Sequence, residues 1–129
     1  MPRGIRNNNP LNIRYSPANR WQGQIGVDDK GFVIFRSPEL GVRAAFKILE
    51  SYRKKGIDTI KDIIYRWAPP EDNNDTKTYI NSVSKIIDKN SFSKIVTPQD
   101  KISLLVAMAK IENGKTLDPS IFHNAYKLV

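Results

Sequence analysis

A strongly apolar run near the end of the sequence finishes in a carboxylate, and this run most constrains the fold. Its densest part is 104–109, inside the segment "DKISLLVAMAKIENG". Glu112 follows Leu105 by seven residues, Met108 by four and Ala109 by three, so a helix would place all four on one face. The segment therefore predicts a helix whose core-facing side ends in an acid.

The position of Glu112 in the last turn of this helix predicts an altered proton affinity. Desolvation and the carbonyl end of the helix both disfavour the charged carboxylate, so both raise its pKa. A carboxyl group that keeps its proton near neutral pH is suited to general acid catalysis. Position alone, however, favours a structural Glu whose stem packs on the core and whose head reaches water or an arginine.

The length of 129 residues predicts a single domain, 1–129, with a mainly α (α+β) architecture. Residues 1–36 are rich in Asn, Arg, Gly and Pro and predict loop and β-hairpin; the hairpin is "QIGVDDKGFVIF", 24–35, around the turn-type cluster "DDKG". Residues 37–129 predict helices, including a candidate catalytic helix over about 97–113 that stops at Asn113-Gly114. Helix starts are predicted at Ser37, Asp58, Asp75, Thr97 and Asp118.

Composition excludes several classes of site. The chain has no cysteine and one histidine, His123, so we expect no disulfide, no metal site and no cofactor. No run approaches the roughly 20 apolar residues of a membrane span, and "MPRGIRNNNP" lacks the apolar core of a signal peptide. We therefore expect a protein made in the cytoplasm that another agent delivers. The net charge of +8 suits a polyanion such as a bacterial envelope or nucleic acid, but charge alone does not choose between them.

Three motifs resemble parts of the lysozyme-like superfamily. "LLVAMAKIENG" resembles the catalytic helix of soluble lytic transglycosylases and goose-type lysozymes, which implies that Glu112 is the catalytic acid; Asn113 stands where Ser is more usual. "NNPLNIR", 8–14, resembles the Asn-Asn motif of flagellar and autolysin glucosaminidases, and "GFVIFRSPELGVRAAFKIL" resembles the strand and helix that follow it. "NDTKTYINSV" resembles the transglycosylase helix whose tyrosine, here Tyr79, lies by the catalytic Glu.

The order of these motifs differs from that in the families, where the catalytic helix comes first. A circular permutation accounts for this, because the termini of a domain often lie close together at its surface. The pattern over nearly the whole chain is also similar to small phage proteins described as lysozyme-like virion or lysis proteins. We therefore expect a circularly permuted lysozyme-like helical domain.

The resemblance and the residue types together suggest substrate contacts. Asn9 and Asn12 have amides that pair well with N-acetyl groups, and Arg14 could hold a lactyl or peptide carboxylate. Trp21 could stack on a sugar ring. Tyr79 and Thr76 complete the predicted substrate-binding set. The alternatives are that the asparagines only stabilise an irregular loop, that Tyr79 is a core residue, and that Thr76 only helps to start its helix.

A second carboxylate close to Glu112 would decide which type of glycosidic cleavage the protein carries out. Asp28 and Asp29, at the predicted hairpin tip, are the candidates; a separation of about 5–5.5 Å from the acid implies retention and about 6.5–9.5 Å inversion. Turn chemistry explains the same two residues, because Asp hydrogen-bonds its own backbone in turns. Without a second carboxylate, a lytic transglycosylase mechanism with one acid/base is expected.

The resemblance thus implies a muramidase (endolysin or virion-associated lysin) that cuts between N-acetylmuramic acid and N-acetylglucosamine. We expect it to be a monomer and to reach the cell wall after holin-type release or as part of a virion. The alternative is a non-catalytic virion structural protein that binds glycan with a lysozyme-like fold. Nucleic-acid binding driven by charge is a third possibility, but no recognised DNA- or RNA-binding motif supports it.

Overall fold

The computed structural model describes all 129 residues and is mainly helical, with one two-stranded antiparallel sheet. The elements in chain order are α1 (Arg3–Arg6), β1 (Gln24–Val27), β2 (Val33–Phe35), α2 (Pro38–Lys54), α3 (Ile60–Trp67), a 3-10 turn (Pro70–Asp72), α4 (Thr76–Ile87), α5 (Pro98–Asn113) and α6 (Pro119–Tyr126). None of the helices combines the length and the hydropathy that a membrane crossing requires.

Helix α5 is the centre of the fold, and its predicted extent is confirmed. It contacts α1, α2, α4 and α6. Its buried apolar side chains occupy almost every position of the middle turns: Ile102, Leu104, Leu105, Ala107, Met108 and Ala109. A helix that is apolar on most sides must be surrounded by other elements, so α1, α2, α4 and α6 pack around this one.

Local capping explains where the helices begin. The Thr97 hydroxyl accepts a hydrogen bond from the Asp100 amide, and the Asp100 carboxylate accepts one from the Thr97 amide, which is a complete capping box. Such a cap stabilises a helix by about 1 kcal/mol. The predicted caps at Ser37, Asp75 and Asp118 are also confirmed, because each side chain accepts a hydrogen bond from a backbone amide in the first turn of its helix.

Two local predictions were wrong. The N-cap of α3 is Thr59, whose hydroxyl accepts from the Asp62 amide at 3.1 Å. The Asp58 carbonyl instead accepts a hydrogen bond from the Ile95 amide, because residues 58–59 pair with the segment before α5. Residues 1–36 are also more than loop and hairpin, since they open with the single helical turn α1.

The predicted hairpin is confirmed as the antiparallel pair of β1 and β2. The asparagine-rich segment after α1 is hydrogen-bonded to it. The Phe35 amide donates to the Asn7 carbonyl, and Asn8 Nδ2 donates to the Phe35 carbonyl. These bonds satisfy the backbone groups of Phe35, as a neighbouring strand would. The strand β2 in turn contacts α2, and its Val33 and Phe35 are both fully buried. The N-terminal segment is thereby fixed to the helical body.

Candidate active site

Glu112 lies in the last turn of α5, where both of its carboxylate oxygens have donors from distant parts of the chain. Asn12 Nδ2 donates to Oε1 at 2.8 Å, and the Tyr79 hydroxyl donates to Oε2 at 2.9 Å. Asn12 comes from the loop after α1 and Tyr79 from α4. Tertiary structure therefore fixes the orientation of the carboxyl group.

Burial raises the pKa of Glu112 above its usual value, and the hydrogen bonds from Asn12 and Tyr79 offset part of this rise. The direction is the one expected from the position of the residue, and desolvation is its largest cause. Glu112 consequently keeps its proton to a higher pH than an exposed glutamate does.

Tyr79 has two possible acceptors for its hydroxyl hydrogen. Its side chain is 7 % exposed, and burial together with the neighbouring Glu112 raises its pKa well above the usual value, so it stays a neutral phenol. The hydroxyl oxygen lies 2.9 Å from Glu112 Oε2 and 3.5 Å from the Met108 carbonyl oxygen. A small rotation of one O–H bond thus exchanges an acceptor on Glu112 for one on the backbone of α5.

The loop that carries Asn12 is joined directly to the end of α5. Asn113 Nδ2 donates to the Pro10 carbonyl and to the Ala109 carbonyl, both at 2.8 Å. Asn12 itself has a φ of 51°, a left-handed conformation that asparagine tolerates better than most residues. Asn113 therefore holds the loop that supplies a donor to Glu112.

Helix α1 lies directly against Asn9, Asn12 and Asn113, and this close approach needs a glycine at position 4. A Cβ atom on Gly4 would lie 2.5 Å from Asn113 Oδ1, 2.8 Å from the Asn9 carbonyl oxygen and 3.2 Å from Asn12 Oδ1. No side chain fits in that space, so glycine is what allows α1 to lie against these three asparagines.

A cleft of about 320 Å³ opens beside Glu112, within the usual range for ligand sites. The N-terminal segment and the hairpin form one part of its lining, and α2, α3 and the 3-10 turn form another. Its aromatic lining residues are Trp21, Phe32, Tyr52 and Trp67. Aromatic rings next to a half-buried acid suit a sugar, whose apolar faces stack on aromatic rings while its hydroxyls need polar partners.

Three of the predicted substrate contacts line this cleft together with Glu112: Asn12, Arg14 and Trp21. Trp67, interpreted from the sequence as a packing residue, packs against another side chain and also lines the cleft. Its ring packs edge-on against Tyr52, its Nε1 donates to the Leu11 carbonyl at 3.2 Å, and it lines the cleft.

Asn9 and Thr76, which the sequence predicts as substrate contacts, do not line this cleft. Asn9 is fully buried, and its amide bonds the backbone of Ile13 twice and the Val33 carbonyl once. Thr76 is 3 % exposed and its hydroxyl donates to the Ala68 carbonyl at 2.6 Å. Both side chains stabilise loops and have no exposed polar atom to offer a ligand.

The two hairpin carboxylates do not line the cleft. Asp28 accepts hydrogen bonds from the Phe32 and Lys30 amides and from Asn7 Nδ2, and it pairs with Arg3 at 3.1 Å. Desolvation would raise the pKa of Asp28, but these bonds and the Arg3 charge lower it to about 2. Asp28 therefore holds the turn together, and Asp29 lies exposed beside it.

Sequence reasoning missed the part of the cleft that follows α3. Arg66, Asp72 and Asn74 line it, and Asp72 is the only carboxylate besides Glu112 that does so. The signal was the polar segment "EDNND" directly after Pro69-Pro70, since acids and amides on a turn beside a helix end are common in sites. Nothing in the sequence distinguished Arg66 from the other exposed arginines.

No group of three or more His, Cys, Asp or Glu side chains is placed to hold a metal ion. His123 lies away from the cleft, in a second groove between α4, α5 and α6.

The chain matches no known protein-family profile. It is similar to Protein P5 of Pseudoalteromonas phage PM2, with 40 % identity over 118 residues that cover 87 % of this chain and 71 % of the relative.

Proposed function

The chain belongs to the family of Protein P5 of Pseudoalteromonas phage PM2, and we propose that it is a phage enzyme that degrades peptidoglycan. In this proposal it cuts the β-1,4 bond between N-acetylmuramic acid and N-acetylglucosamine, with Glu112 as general acid and base. The observation that carries the proposal is the half-buried carboxyl group of Glu112, held through both oxygens at the side of an aromatic-lined cleft.

The raised pKa of Glu112 supports the first step of the reaction. Protonated Glu112 donates its proton to the glycosidic oxygen, the bond from that oxygen to C1 breaks, and the electron pair stays with the leaving sugar. Positive charge then develops on the other sugar ring. The Glu112 carboxylate next accepts a proton from the hydroxyl that attacks C1, which restores the acid.

Tyr79 supports both protonation states of Glu112. While Glu112 is a carboxylate, the tyrosine hydroxyl donates to Oε2 at 2.9 Å. Once Glu112 is protonated, the hydroxyl can turn to the Met108 carbonyl, 3.5 Å away, which leaves the Glu112 proton available to the glycosidic oxygen. The Tyr79 hydroxyl thus keeps an acceptor in both protonation states of Glu112.

The attacking hydroxyl is either water, as in a muramidase, or the 6-hydroxyl of N-acetylmuramic acid, as in a lytic transglycosylase. The engagement of Asp28 with Arg3 and the turn supports the second route, which needs only one acid/base. Asp72 is the carboxylate of the cleft that a hydrolytic route would use. Mass spectrometry of the products separates the routes, since only transglycosylation leaves 1,6-anhydro ends.

The proposed fold is a lysozyme-like domain with its catalytic helix moved to the end by circular permutation. The proximity of the loop 8–14 to the end of α5 supports this, because it brings the Asn-Asn motif and the catalytic helix together despite their reversed order. The proposed setting is a phage endolysin or a virion-associated lysin.

The test compares Glu112→Gln with Glu50→Gln, a matched change at a half-buried glutamate on α2 that does not line the cleft. Both variants and the parent are incubated with purified peptidoglycan, and turbidity loss and released muropeptides are measured. We expect Glu112→Gln to lose at least about 100-fold in rate, as removal of a general acid does, while Glu50→Gln stays near the parent.

Equal rates for the parent and Glu112→Gln would remove Glu112 from catalysis. Sedimentation with peptidoglycan but no released product from the parent would instead favour the non-catalytic glycan-binding protein.

A further inference from the structure

Two arginines line the cleft without a carboxylate partner. Arg14 comes from the N-terminal segment and Arg66 from α3, and both are exposed. The ion pairs of the chain join other residues: Arg3 with Asp28, Arg53 with Glu50, and Lys89 with Asp100. The guanidinium groups of Arg14 and Arg66 are therefore charged groups with unused donors at the site.

Each guanidinium is held against an aromatic ring. The Arg14 Cζ lies 4.5 Å from the centre of the Phe32 ring, and a β-bridge between the same two residues fixes their spacing. The Arg66 Cζ lies 5.9 Å from the centre of the Tyr52 ring. Tyr52 is itself braced edge-on by Trp67, with ring centres 6.1 Å apart.

A guanidinium that lies over an aromatic ring can keep its N–H donors available to a ligand. A guanidinium matches a carboxylate, to which it can donate two parallel hydrogen bonds. The rings limit the positions that the arginine side chains sample, so a ligand has less rotamer entropy to remove when it binds.

We propose that Arg14 and Arg66 form a carboxylate-binding subsite that makes the cleft select acidic glycan strands over neutral ones. The inference rests on the proposed function and specifies its substrate. The bound group is a carboxylate of the muramic acid unit, either on its lactyl ether or on an attached peptide. A neutral β-1,4 glycan such as a chitin oligosaccharide has neither carboxylate.

The experiment uses three substrates and three variants. The substrates are peptide-bearing glycan strands, strands from which an amidase has removed the peptides to leave free lactyl carboxylates, and chitohexaose. The variants are Arg14→Gln, Arg66→Gln and the matched control Arg36→Gln, an exposed arginine outside the cleft lining. KM and kcat are measured for cleavage, and affinity is measured by titration in the Glu112→Gln background.

We expect Arg14→Gln and Arg66→Gln each to raise KM and weaken affinity about tenfold on at least one acidic substrate, since a charged hydrogen bond is worth roughly that factor. The values for chitohexaose and the values for Arg36→Gln should stay at the parent level. A loss confined to peptide-bearing strands assigns the carboxylate to the peptide, and a loss on stripped strands assigns it to the lactyl group.

Equal KM and affinity for Arg14→Gln, Arg66→Gln and Arg36→Gln on both acidic substrates would overturn the subsite. Failure of the proposed function is a different result, because the parent then cleaves none of the substrates while the titrations still report whether the two arginines bind carboxylates. Thermal unfolding of each variant verifies that a loss of affinity does not come from a loss of fold.

Discussion

The hydroxyl of Tyr79 donates a 2.9 Å hydrogen bond to Oε2 of Glu112 across the contact between α4 and α5. Because a donated bond stabilises the charged form of a carboxyl group, this bond lowers the pKa of Glu112 while burial raises it. The proton affinity of Glu112 is therefore adjusted from a neighbouring helix.

Tyr79→Phe should move the pH profile of the proposed activity. Without the donated bond the pKa of Glu112 rises further, so the decline in activity at high pH begins at a higher pH. The rate at the optimum should fall about 10-fold or more, because the carboxyl group is held less firmly. The pH dependence of kcat for the variant, the parent and the exposed control Tyr65→Phe measures this effect; coinciding high-pH limbs would contradict it.

Glu112→Gln should raise the stability of the fold at neutral pH. The folded-state pKa of Glu112 lies above its unfolded value, so its contribution to stability is complete below the unfolded pKa and is lost as pH rises through the folded pKa. The neutral amide avoids that loss, and it can bond both Asn12 and Tyr79. Thermal unfolding at pH 7 should give a higher Tm for the variant by a few degrees, and the difference should shrink at pH 4. A variant that is less stable at both pH values would argue against this origin of the pKa shift.

Asp28→Asn should reduce stability rather than the activity of the folded protein. The pKa of Asp28 is lowered from 3.8 to about 2, so its contribution is present above pH 3.8 and is lost as pH falls towards 2. The amide would also bring donors against Arg3 and Asn7. Unfolding midpoints should differ clearly at pH 7 and converge in acid, whereas Asp29→Asn should match the parent throughout. A large fall in kcat for stably folded Asp28→Asn would restore Asp28 as a catalytic candidate.

Gly4→Ala should destabilise the protein far more than Gly26→Ala. The new methyl group at position 4 would meet Asn113 Oδ1 at 2.5 Å and the Asn9 carbonyl at 2.8 Å, whereas at position 26 its nearest neighbour is Ile34 Cδ1 at 3.7 Å. Crowding of this kind costs about 1–3 kcal/mol. Urea unfolding measures the free energy of unfolding of both variants, and equal values would mean that α1 can move away from Asn113 without cost.

Features that depend on neighbouring residues could be predicted from the sequence. The caps at Ser37, Asp75 and Thr97 each need one side chain and an amide three residues later, so the local pattern is sufficient. The hairpin and the extent of α5 were also predictable, because turn residues and an uninterrupted apolar run are local signals.

Features that depend on distant contacts could not be predicted in this way. The "DDKG" turn fits both a catalytic and a structural Asp28, and only the approach of Arg3 and Asn7 shows which bonds its carboxylate makes. The juxtaposition of Tyr79 and Glu112 was suggested by resemblance and not by spacing. Arg66 and Asp72 were missed because the position of α3 relative to the N-terminal segment defines that side of the cleft.

The bond from Asn12 to Glu112 joins residues 100 positions apart, and the bond from Asn113 to Pro10 spans 103. Such closures come late in folding, because a long loop loses entropy before its contacts form. A ribosome releases the N-terminal segment first, so a nascent chain holds Asn12 long before it holds its partner. Glu112 and the Asn12 amide that donates to it therefore meet only after translation has passed Asn113.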